Sequence, residues 1–328
     1  MAKRSKDTDY LAVSAEIRAM EQICLTREKL EQAASVPAVE EALKIVQESG
    51  YPMLTSTEAS AIDEAIQEKR RWMERQLDFS DEEIMEVFCC PHDYHNLKSL
   101  LKARFTGVDS SHLLVNLGRM HSEEMKRAIE ENAWDRFPGM MGEMAAAAKA
   151  LLETTRDGQL MDVFLDRACF AEQLNAAGER DSAFLTGFLR RSIDSVNLRA
   201  LVRTLRMGKT AEFLRQVLIP GGEIGEEALL TVSANHGALL VELYSTTVFA
   251  EAAKKADLTG TEPLTDFERL CDDAVAAYLE QAERIPFGEE TVIAYLAKKE
   301  WEFTNLRILL LGRRMGLPAD EIKKRLRA

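Results

Sequence analysis

A chain of 328 residues is long for a single hydrophobic core and fits two or three domains. Its formal net charge of −13 argues against a general nucleic-acid binder, which needs a basic surface, and suits either solubility alone or a basic partner. Five cysteines without framework spacing, a start without an apolar signal core and only short apolar runs predict a soluble, cytoplasmic protein.

Helices are predicted along the whole chain. The 17 Gly and 8 Pro are few for this length, strong helix formers dominate, and no alternating β-branched run predicts a strand. The periodicity predicts a first helix over residues 7–33, a short helix over 38–48 and a long charged helix over 57–77. The predicted fold class is therefore all-α.

The next predicted helix carries two local signals. Ser80 and Glu83 have the spacing of a capping box, which would start the helix. Pro91 follows Cys89 and Cys90, and a proline inside a helix removes one backbone hydrogen bond and crowds the preceding turn. We therefore expect this helix to kink or restart at Pro91.

Three segments of the chain share one pattern. Each has an acid, then Asn three residues later, Leu and a basic residue directly after Asn, and Gly eleven residues after Asn. Successive copies lie about a hundred residues apart, which predicts three helical units over 1–107, 108–209 and 210–328. The copies are Asp93, Asn96, Lys98 and Gly107; Asp194, Asn197, Arg199 and Gly208; and Glu302, Asn305, Arg307 and Gly316.

A second element recurs downstream of each Asn segment. It is a turn followed by an acidic first helical turn, where negative charge suits the helix dipole, and it lies at residues 118–125, 222–229 and, more faintly, 317–322. Recurrence of two separate elements indicates a true internal repeat.

The repeated asparagines suggest a structural role. Asn is a mediocre residue inside a helix, so its recurrence indicates a buried amide that bonds to a neighbouring part of the chain. The alternative is a set of three equivalent binding residues around a central opening. The acid and the base of each copy are five residues apart, too far for an ideal pair on one helix, so we expect them to contact different neighbours.

The last long helix is predicted over residues 289–314. Its apolar positions fall on one face, which favours a helix that packs against the core; they are Ile293, Leu296, Phe303, Leu306 and Leu310.

Chemistry-bearing motifs are scarce. Cys89, Cys90, His92 and His95 crowd together, but their spacing is not that of a zinc site. No phosphate-binding loop, nucleophile elbow or dinucleotide fingerprint occurs in the sequence. We therefore expect no catalytic residue, no cofactor and no metal.

The three Asn segments, the opening stretch 10–21 and the stretch 286–290 resemble the C subunit of the prokaryotic vacuolar-type (A/V-type) ATPase, the counterpart of the eukaryotic d subunit. The resemblance spans nearly the whole chain, and threefold internal repetition is a trait of that family. Cys90 and Pro91 before the first motif depart from the family pattern.

The resemblance implies an all-α funnel of three similar helical units around a pseudo-threefold axis. Such a protein caps the membrane proteolipid ring on its cytoplasmic face and receives the foot of the axle formed by the D and F subunits. It would rotate with the ring, couple ATP chemistry to proton or sodium transport, and hydrolyse nothing itself.

Two other functions remain as alternatives. A helical-repeat scaffold that binds proteins on a concave face would have periods of 20–50 residues, shorter than the spacing found here. A metalloenzyme would use Cys89, Cys90, His92 and His95, and metal content would decide it. Neither alternative accounts for three Asn segments.

Overall fold

The computed structural model describes residues 7–54, 56–77 and 82–327. Within these ranges the regular elements are all helical, which confirms the predicted all-α class. The α-helices run, in chain order, as α1 Leu11–Glu21, α2 Arg27–Ser35, α3 Val39–Glu48, α4 Ala59–Leu77, α5 Glu82–Thr106, α6 Ser122–Glu131, α7 Met141–Thr155, α8 Gly158–Glu179, α9 Ala183–Arg206, α10 Ala211–Val217, α11 Glu226–Ala234, α12 Leu240–Tyr244, α13 Ala250–Lys255, α14 Thr265–Leu279, α15 Glu289–Arg314 and α16 Ala319–Arg325.

The N-terminal region contains two helices where one was predicted over 7–33. The chain leaves α1 after Glu21, and Thr26 has an extended backbone while its hydroxyl accepts a hydrogen bond from Lys29 N at 3.4 Å. A threonine in this conformation starts a new helix, so the single-helix prediction was wrong. The predictions over 38–48 and 57–77 match α3 and α4 closely. Ser80, the capping residue of the box predicted with Glu83, lies outside the described residues.

Helix α5 continues through Pro91 as one helix, so the expected restart is wrong, while the expected kink stays a prediction. Pro91 cannot donate a hydrogen bond to the carbonyl four residues earlier, which belongs to Val87. The side chain of Gln173 on α8 supplies the missing donor, with its Nε2 at 2.8 Å from Val87 O. The buried carbonyl is thus satisfied from outside the helix.

The chain forms two compact units. One consists of α1–α4, residues 205–208 and the chain from residue 235 onward; the other consists of residues from α5 to 204 together with 209–234. We call them the α15 unit and the α5 unit after their longest helices. The α5 unit contains the acid, the Asn and the base of the first two Asn segments, and the α15 unit contains the third segment. The three-unit division at residues 107 and 209 follows the repeat and stays a prediction.

One hydrophobic cluster of the α5 unit is formed by α5, α6, α7 and α8. Its centre is fully buried and aliphatic or methionine-rich, with Leu97, Met125, Met141 and Leu165 all at 0% exposure. Helix α8 packs against both α5 and α7, so the middle of the Asn helix α5 is buried in this cluster.

Helix α15 is the central helix of its unit and contacts α1, α2, α4, α14 and α16. It begins and ends at the predicted residues, and its predicted apolar face is buried. Both predictions about this helix are therefore confirmed. In the described part of the chain, no helix combines the length and the apolar character needed to span a bilayer.

Candidate functional site

Each repeated asparagine clasps the main chain of one downstream residue. Its side-chain amide donates to that residue's carbonyl oxygen, at 2.6, 2.8 and 3.1 Å in the three copies. Its Oδ1 accepts from the same residue's N–H, at 2.9, 2.8 and 2.8 Å. We call this arrangement the Asn clasp; the pairs are Asn96 with Val115, Asn197 with Ile219, and Asn305 with Arg327.

The clasps satisfy buried polar groups on both sides. All three asparagines are at most 3% exposed. Each bond contributes about 1 kcal/mol net, and an unpaired buried amide would cost about 1–3 kcal/mol. The clasp therefore fixes the position of a loop relative to a long helix. Its two hydrogen bonds lie side by side between the Asn amide group and the main chain of a single residue.

The acids of the first two copies bind the turn that follows the clasped residue. Asp93 accepts from the main-chain N–H of Arg119 at 3.1 Å and of Met120 at 3.2 Å. Asp194 accepts from Glu223 N at 3.0 Å and Ile224 N at 3.1 Å. Two N–H groups aimed at one carboxylate form a small anion cradle inside the protein.

The residue before each cradle is glycine because nothing larger fits. A Cβ on Gly118 would collide with Asp93 Oδ1, and a Cβ on Gly222 would collide with Asp194 Oδ1. The recurring Gly is thus part of the carboxylate site. Burial raises the pKa of Asp194 to about 6, although the hydrogen bonds from Ile224 and Glu223 oppose the rise.

The third acid, Glu302, has different partners. Its Oε1 accepts from the Tyr51 hydroxyl at 2.7 Å, and its Oε2 pairs with Lys299 Nζ at 2.8 Å. Lys299 is 2% exposed and Glu302 is 7% exposed, so this is a buried ion pair. Sequence periodicity placed Glu302 correctly on the helix but gave no sign of Tyr51, which lies 251 residues away.

The basic residues of the motif contact neighbours other than the acids. Lys98 Nζ lies 2.7 Å from Asp166 on α8. Arg307 pairs with Asp63 on α4, also at 2.7 Å. Arg199 Nη1 donates to Ser195 Oγ on its own helix at 3.0 Å.

A buried polar cluster lies beside the first cradle, and the repeated sequence motif did not predict it. Arg119 Nε donates to Asp93 at 2.8 Å and its Nη1 pairs with Glu172 at 2.6 Å. The Tyr94 hydroxyl donates to the other oxygen of Glu172 at 2.8 Å. Burial and the nearby Glu172 raise the pKa of Tyr94 well above its usual value. The only sequence signal was the recurring turn that contains Arg119.

A second buried cation lies near the third motif. Lys69 donates to Gly50 O at 3.0 Å and sits 4.3 Å from the centre of the Trp72 ring. Burial, with a further contribution from Lys299, lowers the pKa of Lys69 to about 8. The aromatic ring and the carbonyl thus stabilise an ammonium group that its surroundings disfavour.

The Cys/His group near Pro91 is not gathered into one site. Cys90 Sγ lies 3.7 Å from Cys169 Sγ, and His95 Nε2 lies 2.9 Å from Leu113 O. Among the residues that the structure describes, no three His, Cys, Asp or Glu side chains are grouped to hold a metal ion.

Comparison with known proteins identifies one family. The model of the ATP synthase (C/AC39) subunit family matches residues 13–325. The C subunit of the V-type sodium ATPase of Enterococcus hirae is 24% identical over 324 residues, 97% of this chain and 98% of that protein. The C subunit of the A-type ATP synthase of Thermococcus kodakarensis is 24% identical over 332 residues, covering 97% and 90%.

A further relative, the C subunit of the V-type ATP synthase of Thermus thermophilus, is 24% identical over 250 residues, 74% of this chain and 73% of that protein. The family match confirms the resemblance drawn from the Asn segments. This chain belongs to the ATP synthase (C/AC39) subunit family.

Proposed function

We propose that this chain is the non-catalytic rotor subunit that joins the axle of a V/A-type ATPase to its membrane proteolipid ring. In this role it forms a funnel of three similar helical units around a pseudo-threefold axis. The ring binds one end on the cytoplasmic face of the membrane, and the D–F axle enters the other. The chain then transmits torque for ATP-linked transport of protons or sodium ions.

The observation that carries the proposal is the Asn clasp, repeated three times in a chain whose family match covers residues 13–325. A coupler transmits torque only if it resists deformation. Each clasp ties a long helix, α5, α9 or α15, to a downstream segment by two hydrogen bonds between the Asn side chain and that segment's main chain. The same stabilising contact recurs in each of the three repeats, which suits a subunit that bears torque around a threefold axis.

We assign the motif residues to this internal framework rather than to partner contacts. The asparagines and the acids are buried, and their polar atoms bond within the chain, so they offer little to a partner. The assignment covers Asp93, Asn96, Lys98, Asp194, Asn197, Arg199, Glu302, Asn305 and Arg307. The rival assignment, three equivalent binding residues around the central opening, predicts that an Asn substitution weakens axle binding without changing stability.

The net charge of −13 supports a partly electrostatic attachment. Loops on the cytoplasmic side of membrane proteins are enriched in Lys and Arg, and an acidic protein complements them. Such contacts are screened by salt, so raising the ionic strength should weaken assembly.

Size-exclusion chromatography tests the proposal. The chain, the D–F pair and the detergent-solubilised ring are mixed in all combinations at low and moderate salt. We expect a ternary complex that forms only when this chain is present and that loosens as salt rises. Elution of the chain alone at every salt concentration would remove the rotor assignment and favour a helical-repeat scaffold. Assembly that is insensitive to salt would remove electrostatics as its cause.

A further inference from the structure

Two buried cysteines of the α5 unit face each other where α5 packs against α8. Cys90 Sγ lies 3.7 Å from Cys169 Sγ, and both side chains are free thiols in this structure. Cys90 and Pro91 are also the residues that depart from the family pattern. The proposed function gives this pair of thiols no role.

Contacts on both sides of the cysteine pair fix the register of the two helices. Toward the start of α5, Gln173 Nε2 donates to Val87 O at 2.8 Å. Toward its end, Lys98 Nζ pairs with Asp166 at 2.7 Å. These contacts run in opposite order along the two helices, and the cysteine pair lies between them in both sequences. The two sulfur atoms are therefore held opposite each other.

The distance between the two sulfur atoms is short enough for a covalent bond to form. A disulfide joins sulfur atoms at about 2.05 Å, so the pair must close by about 1.7 Å, a movement that rotation of both side chains can share. The printed contacts that this rotation would disturb are weak ones between a thiol and a carbonyl or amide oxygen. Cys90 Sγ lies 4.0 Å from Cys169 O, and Cys169 Sγ lies 4.0 Å from Gln173 Oε1.

We propose that Cys90 and Cys169 form a reversible disulfide bond under oxidising conditions and thereby crosslink α5 to α8. The inference concerns the α5 unit itself and does not depend on the rotor assignment. In a reducing compartment the pair stays as the two thiols that the structure shows. Oxidation makes the contact between the first Asn helix and α8 covalent, so the α5 unit then resists unfolding more strongly.

Hydrogen peroxide is an oxidant that suits a buried pair, because the molecule is little larger than water. It converts one thiolate to a sulfenic acid and is itself reduced to hydroxide. Cys169 reacts first, because it is 6% exposed whereas Cys90 is 1% exposed. The hydrogen bond with Cys169, together with burial, also raises the pKa of Cys90, which keeps the Cys90 thiol protonated.

The sulfur of Cys90 then attacks the sulfenic sulfur of Cys169. The S–S bond forms as the S–OH bond breaks, and the leaving hydroxide takes the proton of Cys90 to become water. Over both steps, two thiols and one peroxide give one disulfide and two waters, so two electrons pass from the sulfur atoms to the peroxide. A dithiol reductant reverses the change by thiol–disulfide exchange.

Peroxide treatment of the folded full-length protein tests the proposal. The remaining thiols are blocked with an alkylating reagent, and crosslinked peptides are identified by mass spectrometry without reduction. We expect one peptide pair, joined at Cys90 and Cys169, and recovery of both thiols after dithiothreitol. Cys169→Ala should abolish the crosslink, whereas the matched control Cys271→Ala, which removes a buried cysteine of α14, should leave it unchanged.

Thermal unfolding measures the effect of the crosslink on stability. The disulfide closes the long loop between residues 90 and 169, so we expect oxidised wild type to melt about 5 °C or more above the reduced protein. Each protein is compared in its own oxidised and reduced forms, so the cost of a cavity in a variant cancels. The difference should persist in C271A and vanish in C169A.

Three results would overturn the inference. The first is the absence of the Cys90–Cys169 peptide pair from folded wild type while the half-buried thiols of Cys24 and Cys89 are oxidised. The second is sulfinic acid on Cys169 as the main product, because it would mean that Cys90 does not reach the sulfenic sulfur. The third is a crosslink that leaves the melting temperature unchanged. None of them bears on the rotor assignment.

Discussion

The side-chain amide of Gln173 donates a hydrogen bond to Val87 O, the carbonyl that Pro91 leaves without a helical donor. An isolated helix with a central proline loses about 3 kcal/mol. In this protein, part of that loss is recovered by a donor from α8. The pair therefore explains how α5 remains one helix from Glu82 to Thr106.

A double-mutant cycle tests this explanation. Gln173→Met should lower the free energy of unfolding by about 1–3 kcal/mol, because it leaves a buried carbonyl unpaired. The same change in a Pro91→Ala background should cost much less, since an alanine at this position restores the helical N–H donor. Urea unfolding of the four proteins gives the coupling energy. Equal costs in the two backgrounds would show that Gln173 acts through packing alone.

The Asn clasp predicts a large local contribution to stability. Asn197→Ala removes two hydrogen bonds and leaves the buried main chain of Ile219 unpaired, so we expect a loss of about 2–4 kcal/mol. Asn175→Ala, on the exposed face of α8, is the matched control and should change stability by less than about 0.5 kcal/mol. Similar losses for both variants would contradict a special role for the clasp.

The carboxylate cradle predicts opposite effects for two glycine substitutions. Gly222→Ala places a methyl group against Asp194 and should destabilise the protein by about 2–4 kcal/mol, because the carboxylate must leave its two N–H donors. Gly178→Ala, in α8 with open space around it, should stabilise by about 0.5–1 kcal/mol. Thermal unfolding of both variants checks the sign. A stabilised G222A would refute the cradle.

The lowered pKa of Lys69 predicts that the free energy of unfolding depends on pH. Its pKa is about 8 in the folded protein, below the value of an unfolded lysine, because burial and the nearby Lys299 disfavour the ammonium form. The unfolded state therefore binds more protons between these two pKa values, and stability rises with pH in that window. The destabilisation that comes from burying the charged form of Lys69 is fully present below pH 8.

The measurement compares wild type with Lys69→Met by urea unfolding from pH 7 to pH 10. We expect the free energy of unfolding of the wild type, taken relative to that of the variant, to rise by on the order of 1 kcal/mol per pH unit above pH 8. Parallel curves for the two proteins across this range would mean that the pKa of Lys69 is unperturbed.

Sequence reasoning succeeded where one physical factor determined the outcome. The bounds of α15, Glu289–Arg314, follow from an apolar face and from glycines at both ends, so periodicity located them. The all-α class follows in the same way from composition and spacing.

Predictions failed where a local signal depended on distant residues. Pro91 is tolerated because Gln173 lies opposite Val87, and no local pattern encodes that approach. Tyr51, one partner of Glu302, was equally hidden, since it reaches that residue only through the packing of the α15 unit. The break before α2 is different: Thr26 carried a local capping signal that the strong periodicity around it masked.

Ion transport by a reconstituted enzyme with and without this chain tests the rotor assignment most directly. Vesicles that hold the ring and its stator are combined with the ATP-hydrolysing sector and the D–F axle, and ATP-driven ion uptake is recorded alongside ATP hydrolysis. We expect hydrolysis without uptake when this chain is omitted, and uptake restored when it is added back. Full uptake in its absence would contradict the assignment of this chain as the coupler between axle and ring.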